Sequence, residues 1–220
     1  MTQQLTNEPP IYYPVFLDLR GRRCLVVGGG EVAVRKVKGL LEVGARVTVI
    51  APDIIPMPAG SRVLRRAFRA SDVCDMALVI AATNNPETNR KIAYEARRRY
   101  IWVNVVDDQD TGSVILPAVV KRGSLRMAIS TGGASPLLAC RLKEQLENQF
   151  GEEYGRLVNL LWRLRGEFEP RADEAELSSD ARKAAWEGVL ALPLIDQLRA
   201  NNEQAAVEAA TAVLDKALAK

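Results

Sequence analysis

Short apolar runs alternate with helical apolar patterns along the first half of the chain. The first run is residues 24–27. After it, apolar residues recur at helical spacing from Val32 to Leu41, and Gly44 is a natural helix stop. Runs of this length between amphipathic helices are typical of buried strands in a parallel sheet. The pattern therefore predicts an α/β fold with a doubly wound parallel sheet. The predicted strands are residues 24–27, 46–50, 62–64, 75–82 and 101–106.

The pattern changes after Asp110. Two apolar runs, residues 113–120 and 125–130, flank Lys121-Arg122-Gly123-Ser124, and this predicts a hairpin with a glycine turn. Ser135 and Pro136 have the residue types of a helix N-cap and a first helical position. A helix is therefore predicted from there to about residue 150.

From Gly151 onward the composition is almost entirely that of helices. One apolar stripe is made of leucines 157, 160, 161 and 164, and alanine-rich segments follow Pro193. The polar stretch 167–180 contains Pro170, and we interpret it as a loop between helices.

The junction of the first strand and the first helix carries a chemical motif. Gly28, Gly30 and Ala33 form the pattern Gly-x-Gly-x-x-Ala between a strand and a helix. Gly28 allows a sharp turn, Gly30 lets the backbone approach a pyrophosphate, and Ala33 lets the helix pack on the strand. The free N–H groups and the positive dipole end of the helix then face the phosphates. This motif predicts a Rossmann-type dinucleotide-binding domain.

The second strand supplies the next cofactor candidate. Asp53, three residues beyond Ile50, is at about the distance along the chain expected for a carboxylate that contacts the ribose. Many NAD sites place this acid at the tip of the strand, so Asp53 is either a ribose ligand or a turn residue. No arginine directly follows the strand to receive a 2′-phosphate, which favours NAD over NADP.

Composition limits the chemistry. The 220 residues include no histidine and three cysteines, and the formal net charge is +3. Proton transfer must therefore use a carboxylate, Lys, Cys or Tyr, and Ser-His-Asp mechanisms are excluded. The scattered cysteines indicate neither a disulfide framework nor a metal site, and the small charge gives no indication of a nucleic-acid partner.

No apolar run is long enough to span a membrane, and the N-terminus lacks a signal pattern. We therefore expect a soluble cytoplasmic protein with no membrane partner.

Loops after four strands should share one edge of the sheet, because parallel sheets bind ligands beyond the carboxyl ends of their strands. These loops hold the glycine turn, Pro52-Asp53, Thr83-Asn84 and Asp107-Asp108. Arg35 and Lys36 lie within the first helix, not at its tip, and we interpret them as surface or interface residues.

Four blocks of sequence together resemble the siroheme synthase family, and more closely its precorrin-2 dehydrogenase module. The blocks are residues 13–21, 27–36, 104–107 and 130–136, in the order that the family has. The resemblance extends from residue 12 to about residue 150.

The resemblance implies oxidation of precorrin-2 to sirohydrochlorin with NAD as hydride acceptor. Some family members also insert ferrous iron. The family's central aspartate in the Asn-Val-Val-Asp block falls on Asp107, whose alternative interpretation is a turn residue. The cofactor contacts fall on Glu31, Val32, Pro52 and Asp53, and we add Thr83 from its place in the crevice.

The resemblance also implies a carboxylate-rich substrate and a homodimer formed by the hairpin and the following helix. A serine that influences metal insertion in some homologues is Thr131 here. We select Thr131, Ser135 and Arg126 as candidate substrate-binding residues. The segment 131–136 is alternatively a helix-capping loop, and the basic residues Lys121, Arg122, Arg126 and Arg141 are alternatively solvated surface charges.

The predicted organisation has three parts. Residues 1–112 form the NAD-binding domain, residues 113–150 form a small α+β dimerisation and substrate region, and residues 151–220 form a helical C-terminal region. The leading functional hypothesis is a precorrin-2 dehydrogenase with or without ferrous or cobaltous ion insertion. The alternatives are a dehydrogenase that works beside a separate chelatase, and a non-catalytic NAD-sensing module.

Overall fold

A computed structural model describes residues 10–219. The chain divides into two compact units, one that ends at Leu116 and one that begins at Pro117. The hairpin, the helix after it and the C-terminal helices all belong to the second unit. That residues 113–150 serve dimerisation stays a prediction.

The first unit is built on a parallel sheet. The chain order of its elements is β1 (Arg23–Val27), α1 (Glu31–Glu42), β2 (Arg46–Ala51), β3 (Arg62–Arg65), β4 (Leu78–Ala81), α2 (Pro86–Arg97) and β5 (Trp102–Val105). All neighbouring strands pair in parallel, in the order β3-β2-β1-β4-β5. The order reverses direction between β1 and β4, which is the switch point of a doubly wound sheet. The predicted Rossmann-type fold is confirmed.

The sheet is buried on both faces, as the unbroken apolar runs predict. Cys24 and Val26 of β1 join one core cluster with α1, whereas Leu25 and Val27 join a second cluster with α2. Leu25 and Val26 are fully buried, and each such side chain stabilises the fold by about 1.5–3 kcal/mol. This burial fixes the register of the strands.

The segment after β5 differs from the prediction. Residues 113–117 are not part of a strand, and the hairpin consists of β6 (Ala118–Arg122) and β7 (Leu125–Ile129) around Gly123 and Ser124. The N–H groups of Ser113 and Val114 donate to the Val103 carbonyl at 2.8 and 3.0 Å. These residues fold back on β5, and their backbone bonds are made there, not in the hairpin.

The second unit continues with helices. They are α3 (Pro136–Gln149), α4 (Glu152–Glu174), α5 (Ser179–Leu190), α6 (Leu194–Arg199) and α7 (Glu203–Leu218). Gly155 of α4 lies against the hairpin turn, where an added Cβ would come within 2.6 Å of the Arg122 carbonyl. The hairpin and α4 are therefore in close backbone contact.

The loop predicted over residues 167–180 is wrong, because α4 runs through Pro170 to Glu174. Leu160, Leu164, Phe168 and Ala172 recur at intervals of one helical turn and are buried in the core of the second unit. Burial of this stripe outweighs the hydrogen bond that Pro170 removes from the helix. No helix in residues 10–219 combines the length and apolarity needed to cross a bilayer.

Candidate active site

The carboxyl ends of four strands meet at one edge of the first unit. Val27 of β1 is in register with Ile50 of β2 and Ala81 of β4, and Ala81 is in register with Val105 of β5. The loops that follow these strands therefore begin side by side. The structure brings together the predicted candidates of the first unit, namely the glycine turn, Pro52-Asp53, Thr83 and Asp107.

The glycines of the turn have different surroundings. Gly28 has a φ of +139°, and a Cβ atom there would collide with the Ala82 carbonyl. A Cβ atom on Gly29 would collide with the Asp53 carbonyl, whereas one on Gly30 would meet nothing within 4 Å. The first two glycines are thus required by neighbouring loops. Gly30 faces open space.

The open space lies at the start of α1. Gly30 is the N-cap of this helix and provides no side-chain cap, so the first N–H groups of α1 have no capping partner from that residue. Ala33 is fully buried, which seats the helix on the sheet. Glu31 and Val32 lie in the first turn, with Glu31 exposed. Uncapped N–H groups beside open space fit the pyrophosphate of a dinucleotide.

Pro52 and Asp53 are exposed in the loop after β2. This loop is held against the glycine turn, since the Ile55 N–H donates to the Gly29 carbonyl at 3.0 Å. Arg65, which pairs with Ala51 across the sheet, donates to the Ile54 carbonyl at 2.9 Å. Arg65 carries no recognisable signal in the sequence, because its neighbourhood depends on the pairing of β2 with β3.

The Thr83 hydroxyl is engaged in local structure. It donates to Asn89 Oδ1 at 2.7 Å, and the amide of Asn89 donates back to the Thr83 carbonyl at 3.0 Å. Asn89 is a buried polar residue of α2. It fixes the loop after β4 and was missed by sequence reasoning, since an asparagine inside a helical pattern carries no specific signal.

Asp107 is exposed directly beyond β5, with a φ of +62°. The loop behind it is held by side-chain hydrogen bonds. Asn104 Nδ2 donates to the Val114 carbonyl at 2.9 Å. Thr111 donates to the Asp108 carboxylate from both its hydroxyl and its N–H group, and these bonds lower the pKa of Asp108. Asp107 thus stands at the start of a braced loop.

Arg35 and Lys36 differ in exposure on α1. Arg35 is exposed and Lys36 is partly buried, and their interpretation as surface or interface residues stays a prediction. Burial lowers the pKa of Lys36, the neighbouring charge of Arg35 lowers it further, and the charge of Asp107 raises it. Lys36 is therefore within electrostatic reach of Asp107. No local pattern could show this, because it depends on how α1 crosses the sheet.

The predicted substrate residues Thr131, Ser135 and Arg126 all lie in the second unit. The Thr131 hydroxyl accepts from the Ser135 N–H at 3.1 Å, and the Ser135 hydroxyl caps α3 by accepting from the Leu138 N–H at 3.1 Å. Arg126 donates to the carbonyls of Gly123 and Leu125 in the hairpin. All three side chains have local structural contacts, and their role in substrate binding stays a prediction.

Comparison with known proteins defines the class. Residues 15–118 match a family model described as "Putative NAD(P)-binding", and residues 122–149 match one described as "Sirohaem biosynthesis protein central". The first unit is therefore an NAD(P)-binding domain of Rossmann type, which agrees with the predicted dinucleotide cofactor. The two models follow one another along a single chain, and the protein belongs to the siroheme synthase family.

Individual relatives agree with this assignment. A siroheme synthase of Nitrosomonas europaea is 38% identical over 203 residues, which cover 89% of this chain and 42% of that protein. One of Nitrosospira multiformis is 40% identical and covers 89% and 43%, respectively. The chain thus spans less than half the length of these relatives. The solved structure of "SirC, precorrin-2 dehydrogenase" superposes with a TM-score of 0.70 at 29% identity, over 95% of this chain and 100% of that one.

Proposed function

We propose that the protein oxidises precorrin-2 to sirohydrochlorin with NAD in siroheme biosynthesis. The observation that carries the proposal is the exposed carboxylate of Asp107 at the same sheet edge as the open glycine turn. The relatives are siroheme synthases, and a structural neighbour is a precorrin-2 dehydrogenase. These names support the proposed substrate class, and the shared sheet edge supports the proposed place of the chemistry.

The proposed cofactor site uses the main chain of the first unit. Gly28, Gly30, Glu31 and Val32 would hold the pyrophosphate, and the Asp53 carboxylate is exposed and available to a ribose hydroxyl. Pro52 and Thr83 border this space. When bound, NAD supplies the hydride acceptor.

Asp107 is proposed as the catalytic acid–base group. Loss of a hydride from a reduced carbon of the macrocycle leaves a cation, and aromatisation then requires loss of a proton. The Asp107 carboxylate can take this proton and pass it to water, because it is exposed at the carboxyl edge of the sheet. The balanced reaction yields sirohydrochlorin, NADH and one proton. The chain has no histidine to compete for this role.

The direct test mixes the purified protein with precorrin-2 and NAD and follows NADH absorbance and the sirohydrochlorin spectrum. We expect stoichiometric NADH and sirohydrochlorin. NAD binding with no NADH would overturn the proposal and favour an NAD-sensing module. Ferrous or cobaltous ion is then added as a substrate. Metal insertion would make the protein bifunctional, and its absence would identify a dehydrogenase that needs a separate chelatase.

Asp107→Asn tests the proposed role of the carboxylate. Asparagine tolerates the positive φ, so this variant should fold normally while kcat falls by on the order of a hundredfold. Asp110→Asn, an exposed acid of the same loop, is the matched control and should keep its rate. Equal rates for both variants would remove Asp107 from the reaction.

We further propose that the protein acts as a cytoplasmic homodimer. Support comes from α3, where Leu137, Leu138 and Leu142 are 65%, 48% and 36% exposed. Apolar side chains clustered on one helix are typical of an interface. Thr131, Ser135 and Arg126 flank this helix in sequence and are proposed to contact the substrate.

A further inference from the structure

Asn89 is a buried polar residue of α2 that contacts the loop after β4. Its Nδ2 group donates to the Thr83 carbonyl at 3.0 Å. Its Oδ1 atom accepts from the Thr83 hydroxyl at 2.7 Å and from the Thr83 N–H at 3.3 Å. The donor and acceptor ends of the amide are therefore both assigned by their partners. Three hydrogen bonds from one buried amide fix the main chain and the side chain of Thr83 together.

The Thr83 hydroxyl has a defined polarity. Its single hydrogen faces two protein acceptors, Asn89 Oδ1 at 2.7 Å and the Asn85 carbonyl at 3.1 Å. Its oxygen accepts from the Asn85 N–H at 3.2 Å, although a hydroxyl oxygen can accept two hydrogen bonds. Among residues 10–219, no second donor reaches this oxygen. Thr83 is partly buried and thus offers a bound molecule an acceptor and not a donor.

Thr83 lies beside the glycine turn. The Ala82 N–H donates to the Val27 carbonyl at 2.8 Å, and a Cβ atom on Gly28 would come within 2.2 Å of the Ala82 carbonyl. Thr83 follows directly, on the β4 side of the point where the strand order reverses. In a doubly wound sheet a dinucleotide lies across this point, with one nucleotide on each side. Asp53, the proposed contact of the adenosine ribose, is on the β2 side, so the nicotinamide half belongs on the side of Thr83.

Thr83 and Asp107 occupy equivalent positions on neighbouring strands. Ala81 of β4 is in register with Val105 of β5, and each of the two residues lies two positions beyond its strand end. The pairing continues past β5, since the Val106 N–H donates to the Ala81 carbonyl at 2.9 Å. Neighbouring strands are about 4.8 Å apart. A nicotinamide held at Thr83 would therefore be next to the proposed acid–base group.

We propose that Asn89 is a positioning residue that keeps the Thr83 hydroxyl as a hydrogen-bond acceptor for the carboxamide N–H of nicotinamide. This role rests on the proposed dehydrogenase function. The carboxamide carries the N–H donors of the nicotinamide, and the free acceptor position on Thr83 matches them. Without Asn89 the hydroxyl can rotate and present its hydrogen to the cofactor. Recognition of the nicotinamide would thus depend on α2 as well as on the glycine turn.

Calorimetry with two dinucleotides tests the acceptor on Thr83. In 3-acetylpyridine adenine dinucleotide a methyl ketone replaces the carboxamide of NAD, so the N–H donors are absent. We expect Thr83→Val to weaken NAD binding by about tenfold and analogue binding by less than about twofold. Thr83→Ser keeps the hydroxyl and should keep the wild-type preference for NAD. Thr88→Val, which removes a partly buried hydroxyl from the first turn of α2, is the matched control.

Asn89→Ala tests the positioning role. The ratio of the two affinities is the readout, because any unfolded fraction lowers the apparent affinity for both dinucleotides equally. We expect Asn89→Ala to reduce the preference for NAD by about fivefold, and to reduce it no further in a Thr83→Val background. Asn84→Ala, at an exposed asparagine of the same loop, should leave the ratio unchanged.

The outcomes separate this role from the proposed function. If the wild type prefers NAD as expected but makes no NADH from precorrin-2, the proposed function fails and the role of Thr83 stands. If the wild type makes NADH but Thr83→Val weakens both dinucleotides equally, the role of Thr83 is overturned together with that of Asn89. An unchanged ratio in Asn89→Ala would overturn the positioning role alone, and a wild type that binds neither dinucleotide would overturn both roles.

Discussion

The three glycines of the turn have different neighbours, and these neighbours restrict each position differently. Gly28 and Gly29 make room for the main chain of the loops after β4 and β2, whereas Gly30 leaves space that no protein atom fills. A motif read along the sequence treats the glycines as one signature. The structure separates those needed for the fold from the one available to a ligand.

Gly29→Ala and Gly30→Ala therefore have different expected effects. Gly29→Ala forces the Asp53 carbonyl to move and should destabilise the protein by about 2 kcal/mol, measured by urea unfolding. Gly30→Ala should change stability by less than about 0.5 kcal/mol. It should weaken NAD binding by about tenfold, or about 1.4 kcal/mol, measured by calorimetry. Normal NAD affinity in Gly30→Ala would contradict this division of roles.

The buried thiol of Cys24 in β1 makes the stability of the folded protein depend on pH in the alkaline range. Burial raises the pKa of its thiol from an ordinary 9.0 to about 11. The stabilising effect is complete below pH 9 and is lost as the pH rises toward 11, because the unfolded chain releases the proton first.

Cys24→Ala should remove this dependence. Between pH 9 and 11, the free energy of unfolding of the wild type should fall more steeply than that of the variant, by up to about 1.4 kcal/mol per pH unit. Urea unfolding across this range measures the difference, with the exposed Cys140→Ala as control. Parallel curves for wild type and Cys24→Ala would contradict the prediction.

The sequence predicted residues that act through local chemistry. Gly28 and Gly30 were predicted from a turn motif that is visible in a short window, and Asp107 was predicted from the resemblance to the siroheme synthase family. Lys36, Asn89 and Arg65 were not, because each depends on a partner from another element. Residues of this kind can be identified only when the arrangement of the strands and helices is known.

At the scale of elements, β5 and the loop beyond it act as one piece. Ser113 Oγ accepts from the Val103 N–H at 3.0 Å, and the Asn104 side chain holds the Val114 carbonyl. These bonds satisfy the edge of β5 that lacks a neighbouring strand in the described sheet. Residues 113–117, which were predicted as part of a strand, thus bind along the open edge of β5.

Asn104→Ala tests this bracing. The Val114 carbonyl loses its donor, so stability should fall by about 1–3 kcal/mol in urea unfolding. The exposed Asn84→Ala, in the neighbouring loop, should have little effect. Kinetic measurements should show a lower kcat with unchanged NAD affinity. A stability equal to that of the Asn84 variant would show that the bond contributes nothing.

The pattern of apolar residues predicted most of the elements. It failed where a proline and an apolar stripe pointed to different structures. The apolar runs identified the strands of the parallel sheet because both faces of that sheet are covered. Pro170 was interpreted as a helix breaker, although the buried stripe continues through Phe168 and Ala172. Tertiary packing of that stripe decides the outcome, and a single proline cannot report it.

At the scale of the whole molecule, the chain has two units with separate cores. The sequence predicted the change of architecture near the end of the sheet, because strand and helix no longer alternate there. It could not predict how the C-terminal helices pack, since their alanine-rich patterns allow several arrangements. The proposed homodimer is a property of this scale.

Leu138→Glu is expected to convert the dimer to a monomer. Leu138 is 48% exposed on α3, and a charge there would be buried without a partner in an interface. Gln204→Glu adds the same charge at an exposed polar position of α7, outside the proposed interface, and should leave the dimer intact. Size-exclusion chromatography with light scattering measures both. A monomeric wild type would contradict the proposed assembly.

The left-handed backbone at Asp107 limits how this position can evolve. Aspartate, asparagine and glycine are the residues that adopt such a conformation most readily. Of these, aspartate alone carries a charge. Glutamate would retain the acid but pay backbone strain and displace the carboxylate by one methylene. Among the residues that adopt this backbone conformation readily, aspartate is therefore the one that can accept a proton at this position.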